Sequence, residues 1–204
     1  MSRFLSWSSS ATVRLVRNLV RRIRRPPEPF PELPEITLRP IGVVRNSIKE
    51  PQPPGFDWDT VASRIVIRPE LEDGLLGLDT YSHLKVLFWP HLVPAEVIGS
   101  KHRLHPRDDP QNPLQGILAT RSQIRFNPIL VTAVPLLSVK GNVLSVRGLD
   151  AVNGTPVLDI KPYFPHFDSV PEARVPDWVT GMAEPNDSTK KTDDSSVGSE
   201  VSKE

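Results

Sequence analysis

The chain has 204 residues, which is enough for one domain with extensions at either end. Its 23 prolines and 11 glycines disfavour long helices, and the absence of cysteine excludes disulfides, thiolate metal sites and a cysteine nucleophile. No apolar run approaches the roughly 20 residues that span a bilayer. The formal net charge of +1 averages three unlike regions, with net charges of +4 over 1–35, zero over 36–178 and −3 over 179–204.

The N-terminal region, residues 1–35, is predicted to be a basic arm and a proline-rich linker. Apolar residues recur at helical spacing between arginines in "ATVRLVRNLVRRIRR", and Pro26-Pro27 ends that pattern. This amphipathic arm is compatible with an anionic membrane surface, with nucleic-acid phosphates or with an organelle-targeting presequence. An extension without any dedicated partner is an equally good interpretation.

The central region, 36–178, is predicted to be one folded domain made mainly of β-strands. Six segments are rich in Val, Ile, Leu and Thr, and Lys140-Gly141-Asn142 predicts a tight hairpin between the last two. The segment 70–84 predicts one short helix or turn. A mainly antiparallel sheet closing toward a small barrel, with short helices, is therefore expected. The predicted strands are 37–45, 61–68, 83–89, 116–121, 129–139 and 142–149.

The remaining region, 179–204, is polar and acidic and is predicted to be a disordered tail. Within the central region no two glycines form a G-x-G pair, so the common dinucleotide fingerprint is missing. The pair His102 and His105 has no accompanying carboxylate motif, and no metal site is expected.

Two segments of the central region are dense in chemical groups. In "ATRSQIRFNPI" (119–129) two arginines lie four residues apart between apolar stretches. In an extended chain Asp159, Lys161 and Tyr163 share one strand face, where they are suited either to proton handling and anion binding or to a merely solvated surface. Asn153-Gly154 is predicted to be a turn that folds this strand back onto the preceding one.

These two segments together resemble a known family. "GILATRSQIRFNPI" (116–129) and "GLDAVNGTPVLDIKPY" (148–163) are similar to the signature of the TsaA-like family of tRNA methyltransferases, known as TrmO. The segments 41–51, 74–91 and 105–116 also resemble that family. The resemblance covers about residues 38–170.

The resemblance implies a fold and an activity. The fold would be a small TsaA-like β-barrel, and the protein would be a methyltransferase of the non-Rossmann type that uses S-adenosyl-L-methionine and acts as a homodimer. The reaction would be methylation of N6 of threonylcarbamoyladenosine at position 37, in the tRNA anticodon loop. The alternatives are the same fold and donor acting on a different RNA or small-molecule acceptor, or a non-catalytic module that binds the donor.

The resemblance also implies roles for individual residues. The acceptor would be bound by Ser122, Arg125 and Asn127, and the catalytic positions would be Asp159, Lys161 and Tyr163. Asp159 or Tyr163 would accept the proton of the acceptor nitrogen, and Lys161 would lower the pKa of the phenol. The donor contacts would be Pro54, Gly55, His91, Leu92, Arg121, Leu149, Asp150 and Ala151.

The expected location is the cytoplasm, which suits both the tRNA acceptor that the resemblance implies and the absence of cysteine. The acid-free N-terminus leaves organelle targeting open. Membrane contact by the arm is the less favoured interpretation of that segment.

Overall fold

A computed structural model of the chain describes residues 28–183. It divides into two compact units, 1–37 and 38–204, with a boundary two residues after the one expected from the sequence. The predicted amphipathic helix lies outside the described residues, and so do residues 184–204 of the predicted tail.

The second unit contains a closed barrel of six antiparallel strands, in the order β1-β2-β7-β6-β3-β8. This confirms the mainly β, barrel-like fold expected from the sequence. Two further strands, β4 and β5, pair with each other in a separate ribbon. The strands are β1 (Gly42–Arg45), β2 (Ala62–Ile67), β3 (His83–Phe88), β4 (Arg103–Leu104), β5 (Gln115–Gly116), β6 (Leu130–Lys140), β7 (Val143–Arg147) and β8 (Pro156–Pro162).

Within residues 28–183 the helices are short, as the proline content predicts. The α-helices of this range are α1 (Pro165–Asp168) and α2 (Asp177–Ala183), and α2 crosses the predicted start of the tail at residue 179. The predicted short helix in 70–84 is present as two 3₁₀ segments. The 3₁₀ segments of the described residues are Trp58–Thr60, Pro69–Leu75, Leu78–Thr80, Ala95–Val97, Pro106–Asp108 and Ile117–Ala119.

The core fills the barrel because alternate residues of each strand point inward. In β3, for example, Leu84, Val86 and Phe88 are buried, whereas His83 is exposed and Lys85 half-buried. Burying side chains of this size contributes about 1.5–3 kcal/mol each. The residues of the core cluster are Val44, Ile65, Ile67, Leu84, Val86, Phe88, Val134, Leu144, Val146, Leu149, Ala151 and Val157.

The hairpin predicted at Lys140-Gly141-Asn142 is confirmed. Lys140 pairs with Val143, and Gly141 has a φ of 54°, a conformation that glycine adopts without steric cost. This turn and the connection 68–82 lie at the same end of the barrel, which we call the hairpin end.

Three expectations about the strands are wrong. The predicted strand 37–45 begins only at Gly42, since Pro40 has no N–H to give to a sheet. The predicted strand 116–121 forms only the last residue of β5 and then a 3₁₀ segment, because the Thr120 hydroxyl bonds to the Ile117 carbonyl and closes a turn.

The third error concerns β8. The turn at Asn153-Gly154 is present, but it does not fold β8 back onto the preceding strand, β7. Instead the Gly154 N–H donates to the Val44 carbonyl at 2.8 Å, and β8 pairs with β1 and β3. This pairing closes the barrel.

The opposite end of the barrel, which we call the loop end, carries the connections 46–61, 89–129 and 148–155. They join β1 to β2, β3 to β6 and β7 to β8. Neighbouring strands are antiparallel, so these three connections necessarily emerge on the same side.

Candidate active site

The predicted donor contacts all lie on the three connections of the loop end. Strand order alone therefore gathers residues that are up to 97 positions apart in the chain (Pro54 to Ala151). The connection 46–61 carries Pro54 and Gly55, the connection 89–129 carries His91, Leu92 and Arg121, and the connection 148–155 carries Leu149, Asp150 and Ala151.

Asn46 links the connections 46–61 and 148–155 through hydrogen bonds. Its Nδ2 donates to Ser63 Oγ at 2.9 Å and to the Ala151 carbonyl at 2.8 Å, and its backbone N–H donates to the Asn153 side chain at 3.3 Å. Sequence reasoning missed Asn46. An asparagine directly after a strand was the available signal, because its short amide often satisfies nearby backbone groups.

Asp150 is held above the barrel mouth by its two neighbours in the chain. Leu149 and Ala151 are buried in the core, so the backbone between them is fixed. Thr132, whose strand partner Val86 points inward, donates its hydroxyl hydrogen bond to the Asp150 carboxylate. Thr132 is a second residue that sequence reasoning missed.

The charge state of Asp150 reflects this position. Partial burial raises the pKa of the carboxyl above its ordinary value, while the Thr132 hydrogen bond and the positive charge of Arg121 act in the opposite direction. The structure thus brings together two of the predicted donor contacts, Asp150 and Arg121, which bond to the adjacent residues Thr132 and Val131. A partly desolvated carboxylate beside a guanidinium suits a ligand that carries both an ammonium and a carboxylate.

The arginine segment is a compact series of turns. Arg121 Nη2 donates to the Val131 carbonyl at 2.8 Å, and Arg125 Nη1 donates to the Thr120 carbonyl at 2.5 Å. Ser122 Oγ accepts from the Ile124 N–H at 3.4 Å. Each guanidinium has five N–H donors, so these bonds fix the side chains and leave donors for an anion.

A cleft of about 930 Å³ opens beside this segment, between the connection 89–129 and α2. Arg121, Ser122 and Arg125 contribute to its wall, whereas Asn127 does not. On the opposite side α2 contributes Trp178 and Val179, both half-buried. The remaining lining residues are Val97, Ser100, Lys101, Leu104, His105, Pro106, Arg107, Asp108, Leu118, Ala119, Thr120, Gln123 and Ile124.

Trp178 was not identified as a site residue from the sequence. It lies at the end of the predicted domain, beyond the motifs, and nothing in the local pattern showed that a short helix returns to the arginine segment. A lone tryptophan just before a polar tail was the only signal.

His91 lies against the turn before β8. Its Nδ1 is 3.4 Å from Thr155 Oγ1, and a Cβ added to Gly154 would lie 3.4 Å from its Nε2. Leu92 is 47% exposed. Gly55 faces open space, since a Cβ there would meet no described atom within 4 Å. Of the predicted donor residues, only Leu149 and Ala151 are buried, and the other six are exposed.

The predicted catalytic residues follow β8 away from the loop end. Asp159 and Lys161 flank Ile160, which packs on the core, so both point to the outer wall. Lys161 Nζ is 2.7 Å from Asp159 Oδ2, and this hydrogen bond and charge raise the pKa of the amine. Lys161 is therefore paired with Asp159, whereas the sequence suggested that it would influence Tyr163.

Tyr163 lies beyond the end of β8, at the hairpin end, where its ring centroid is 6.4 Å from that of His83. Asp159 is nearest to the arginines. It is in register with Leu87, which pairs with Val131, whose carbonyl accepts from Arg121. The backbones of Asp159 and Val131 are therefore two strand spacings, or about 10 Å, apart. Asp159, Lys161 and Tyr163 do not line the cleft, and their catalytic role stays a prediction.

The described residues contain neither a membrane-spanning helix nor a cluster of metal ligands. Within 28–183 no helix has the length and apolar character needed to cross a membrane. In the same range no group of three or more His, Asp or Glu side chains is placed to hold a metal ion.

The fold is that of a small closed antiparallel β-barrel, without a doubly wound sheet, whose predicted donor contacts lie on the connections at one end. Comparison with known proteins gives the family. The chain belongs to the tRNA-methyltransferase O N-terminal domain family, whose model matches residues 45–169. This confirms the family resemblance found in the sequence.

Individual relatives agree with this family. A probable S-adenosyl-L-methionine-binding protein of Methanothermobacter thermautotrophicus is 41% identical over 138 residues, which cover 67% of this chain and 96% of that protein. The tRNA (adenine(37)-N6)-methyltransferase of Escherichia coli is 37% identical over 142 residues, which cover 65% of this chain and 60% of that enzyme.

A solved structure of TrmO from P. aeruginosa superposes with a TM-score of 0.58 at 29% identity. The match covers 76% of this chain and 65% of that one. The chain thus spans slightly less than two thirds of the length of this solved relative.

Proposed function

We propose that this protein transfers a methyl group from S-adenosyl-L-methionine to N6 of threonylcarbamoyladenosine at position 37 of tRNA. The observation that carries the proposal is the convergence of Arg121 and Asp150, which bond to adjacent residues of β6, at the loop end of a barrel of the tRNA-methyltransferase O family. The Escherichia coli relative, a tRNA (adenine(37)-N6)-methyltransferase, supports the reaction, and the Methanothermobacter relative supports the donor.

The residues at the loop end fit the methyl donor. The donor supplies an electrophilic methyl group on a sulfonium, and its amino-acid end carries an ammonium and a carboxylate. Asp150 would accept from the ammonium, and Arg121 would pair with the carboxylate through its planar fork. The remaining donor contacts would come from Pro54, Gly55, His91, Leu92, Leu149 and Ala151.

The cleft beside the arginine segment would receive the acceptor. Arg125 would pair with the carboxylate of the threonyl group, and Ser122 would bind its polar atoms. Asn127, which lies outside the cleft wall, would contact the acceptor where it extends beyond the cleft. Trp178, on the facing wall, offers an indole on which the adenine ring can stack. Because base 37 lies in a single-stranded loop, little unstacking is needed to reach the cleft.

The acceptor nitrogen must lose its proton, because its lone pair is delocalised into the ring and the carbonyl. Asp159 or Tyr163 would accept this proton, directly or through a water, and Lys161 would orient the Asp159 carboxylate to which it is bonded. Single-turnover rates at saturating donor test this role. Wild-type rates in both Asp159→Asn and Tyr163→Phe would contradict it.

These residues lie on the outer wall and do not line the cleft of their own chain, which supports a homodimer with composite sites. In such a dimer the outer wall of one subunit faces the loop end of the other. Arg121→Ala and Asp159→Asn homodimers would each be inactive, whereas a mixture of the two proteins would regain activity, because a mixed dimer has one intact composite site. No recovery after confirmed subunit exchange would contradict the composite site.

The acceptor itself is tested with two tRNA preparations. Methyl transfer is expected with bulk tRNA from wild-type cells and not with tRNA from cells that lack the threonylcarbamoyl modification. Equal transfer to both would favour a different acceptor. Donor binding without transfer to either would favour the non-catalytic binding module suggested by the Methanothermobacter relative's description. With tRNA as acceptor, the expected location remains the cytoplasm.

A further inference from the structure

Three arginines lie together on the outer wall formed by β1, β2 and β7. Arg45 and Arg64 are direct cross-strand partners. Arg147 pairs with Ala62, two residues before Arg64, so Arg64 and Arg147 are diagonal neighbours. All three are exposed. Directly opposed residues lie about 5 Å apart at their Cα atoms and diagonal ones about 7–8 Å, so the guanidinium groups share one surface.

This arrangement has an electrostatic cost that no ion pair of the described residues offsets. Like charges directly opposite each other in a sheet are destabilising. Among residues 28–183, none of the three arginines makes an ion pair or a side-chain hydrogen bond. Asp59 lies beside Gly148 without an ion pair to Arg147. Three guanidinium groups without an ion pair to any described residue, in a domain with zero net charge, indicate a surface suited to an anionic partner.

A groove of about 350 Å³ runs beside two of these arginines. Arg45 and Arg64 line it together with Ser145, whose hydroxyl also faces outward. A shift of register between Leu136 and Ser138 leaves Leu137 as the extra residue of a bulge, where it is 48% exposed and lines the groove. The groove therefore offers cations and a hydroxyl for phosphates and an apolar side chain for a sugar or base.

The position of the cluster relates it to the proposed reaction. Arg45 is the last residue of β1 and Arg147 the last of β7, so both directly precede connections of the loop end. The cluster is on the wall made by β1, β2 and β7, whereas Asp159 and Lys161 lie on the wall made by β6, β3 and β8. A second subunit on the latter wall leaves the arginines accessible.

We propose that Arg45, Arg64 and Arg147 form a phosphate-binding surface for the tRNA backbone that flanks the acceptor base. The proposal rests on the proposed tRNA substrate. Arginine suits the task because its fork pairs with phosphate oxygens in a bidentate geometry. The cluster is also a local basic surface, of the kind that nucleic-acid-binding proteins use, in a domain whose net charge is zero.

The test measures tRNA binding as a function of salt for two double variants that remove the same charge. Arg45→Gln/Arg64→Gln changes the cluster, and Arg39→Gln/Lys140→Gln changes exposed cations toward the hairpin end. Each lost phosphate contact lowers the slope of log K against log salt by about 0.7–0.9. The cluster variant should therefore lose about 1.4–1.8 of slope, whereas the control should keep the wild-type value.

Two measurements separate this proposal from the proposed function. Donor affinity, measured by calorimetry, should be the same in the wild type and in both variants. Arg45→Lys/Arg64→Lys should recover most of the slope, because the charge is retained. Equal slopes for the cluster variant and the control would overturn the phosphate surface. A wild type that binds or methylates no tRNA would instead overturn the proposed function.

Discussion

Replacing Asp150 by Asn tests how the loop end holds the methyl donor. The substitution keeps an acceptor for the Thr132 hydroxyl and removes the charge that the donor's ammonium would meet. A hydrogen bond to a charged group contributes about 1.5–3 kcal/mol. Because Asp150 is only partly desolvated, we take the lower figure, which corresponds to a roughly tenfold rise in the donor Kd.

The pH dependence gives a second signature. Burial raises the pKa of Asp150, so below this pKa the carboxyl of the free protein is neutral and attracts the ammonium less. Donor affinity of the wild type should fall as the pH is lowered through this pKa, and that of Asp150→Asn should stay constant there. Calorimetric titrations at several pH values measure both, and the exposed Asp79→Asn is the matched control.

The raised pKa of Asp150 predicts that stability changes with pH in the direction opposite to donor affinity. For a carboxyl whose folded pKa is raised, the folded state holds more protons than the unfolded state between the two pKa values, so stability falls as pH rises through that window. Asp150→Asn should therefore be at least as stable as the wild type at neutral pH while binding the donor more weakly. An unchanged donor Kd, or weaker binding explained by lost stability, would refute the reasoning.

Three further outcomes are expected. Gly42→Ala should cost about 1–3 kcal/mol in chemical denaturation, because its Cβ would lie 2.7 Å from a backbone oxygen of β2, whereas Gly74→Ala has open space and should be neutral. Asp168→Asn should lower the melting temperature at pH 7, because the Asp168 carboxylate accepts a hydrogen bond from Lys85 that lowers the carboxyl's pKa and stabilises the folded state. The stabilisation by this carboxylate is lost as the pH falls through its folded-state pKa, so the melting temperatures of variant and wild type should converge in acid. Trp178→Ala should raise the KM for tRNA at least tenfold with unchanged donor affinity; an unchanged KM would remove the indole from the acceptor site.

Much of the fold was predictable because local pattern and tertiary structure agree. The strands β2, β3, β6 and β7 combine β-branched residues with clear turn signals. Gly141 marks the hairpin between β6 and β7, which can be predicted locally because its two strands are adjacent in the sequence. Pairing between distant segments was not predictable. Periodicity shows which residues of β8 share a face, but it does not show that β8 lies between β1 and β3.

The sequence motifs contain part of the candidate site. Arg121 and Asp150 were both predicted as donor contacts from these motifs, and the barrel topology brings them together at the loop end. Asn46 and Thr132 were missed, because ordinary polar residues at strand ends acquire their role only through partners about 17 to 107 positions away. Trp178 was missed for the same reason: its helix contacts the arginine segment through tertiary structure alone.

The most direct test of the central claim is nucleoside mass spectrometry of tRNA incubated with the purified protein and a donor that carries a deuterated methyl group. The account predicts a labelled methyl on threonylcarbamoyladenosine, with fragmentation placing it at N6. The label should be absent with Arg121→Ala. Label on another nucleoside, or none despite measured donor binding, would contradict it.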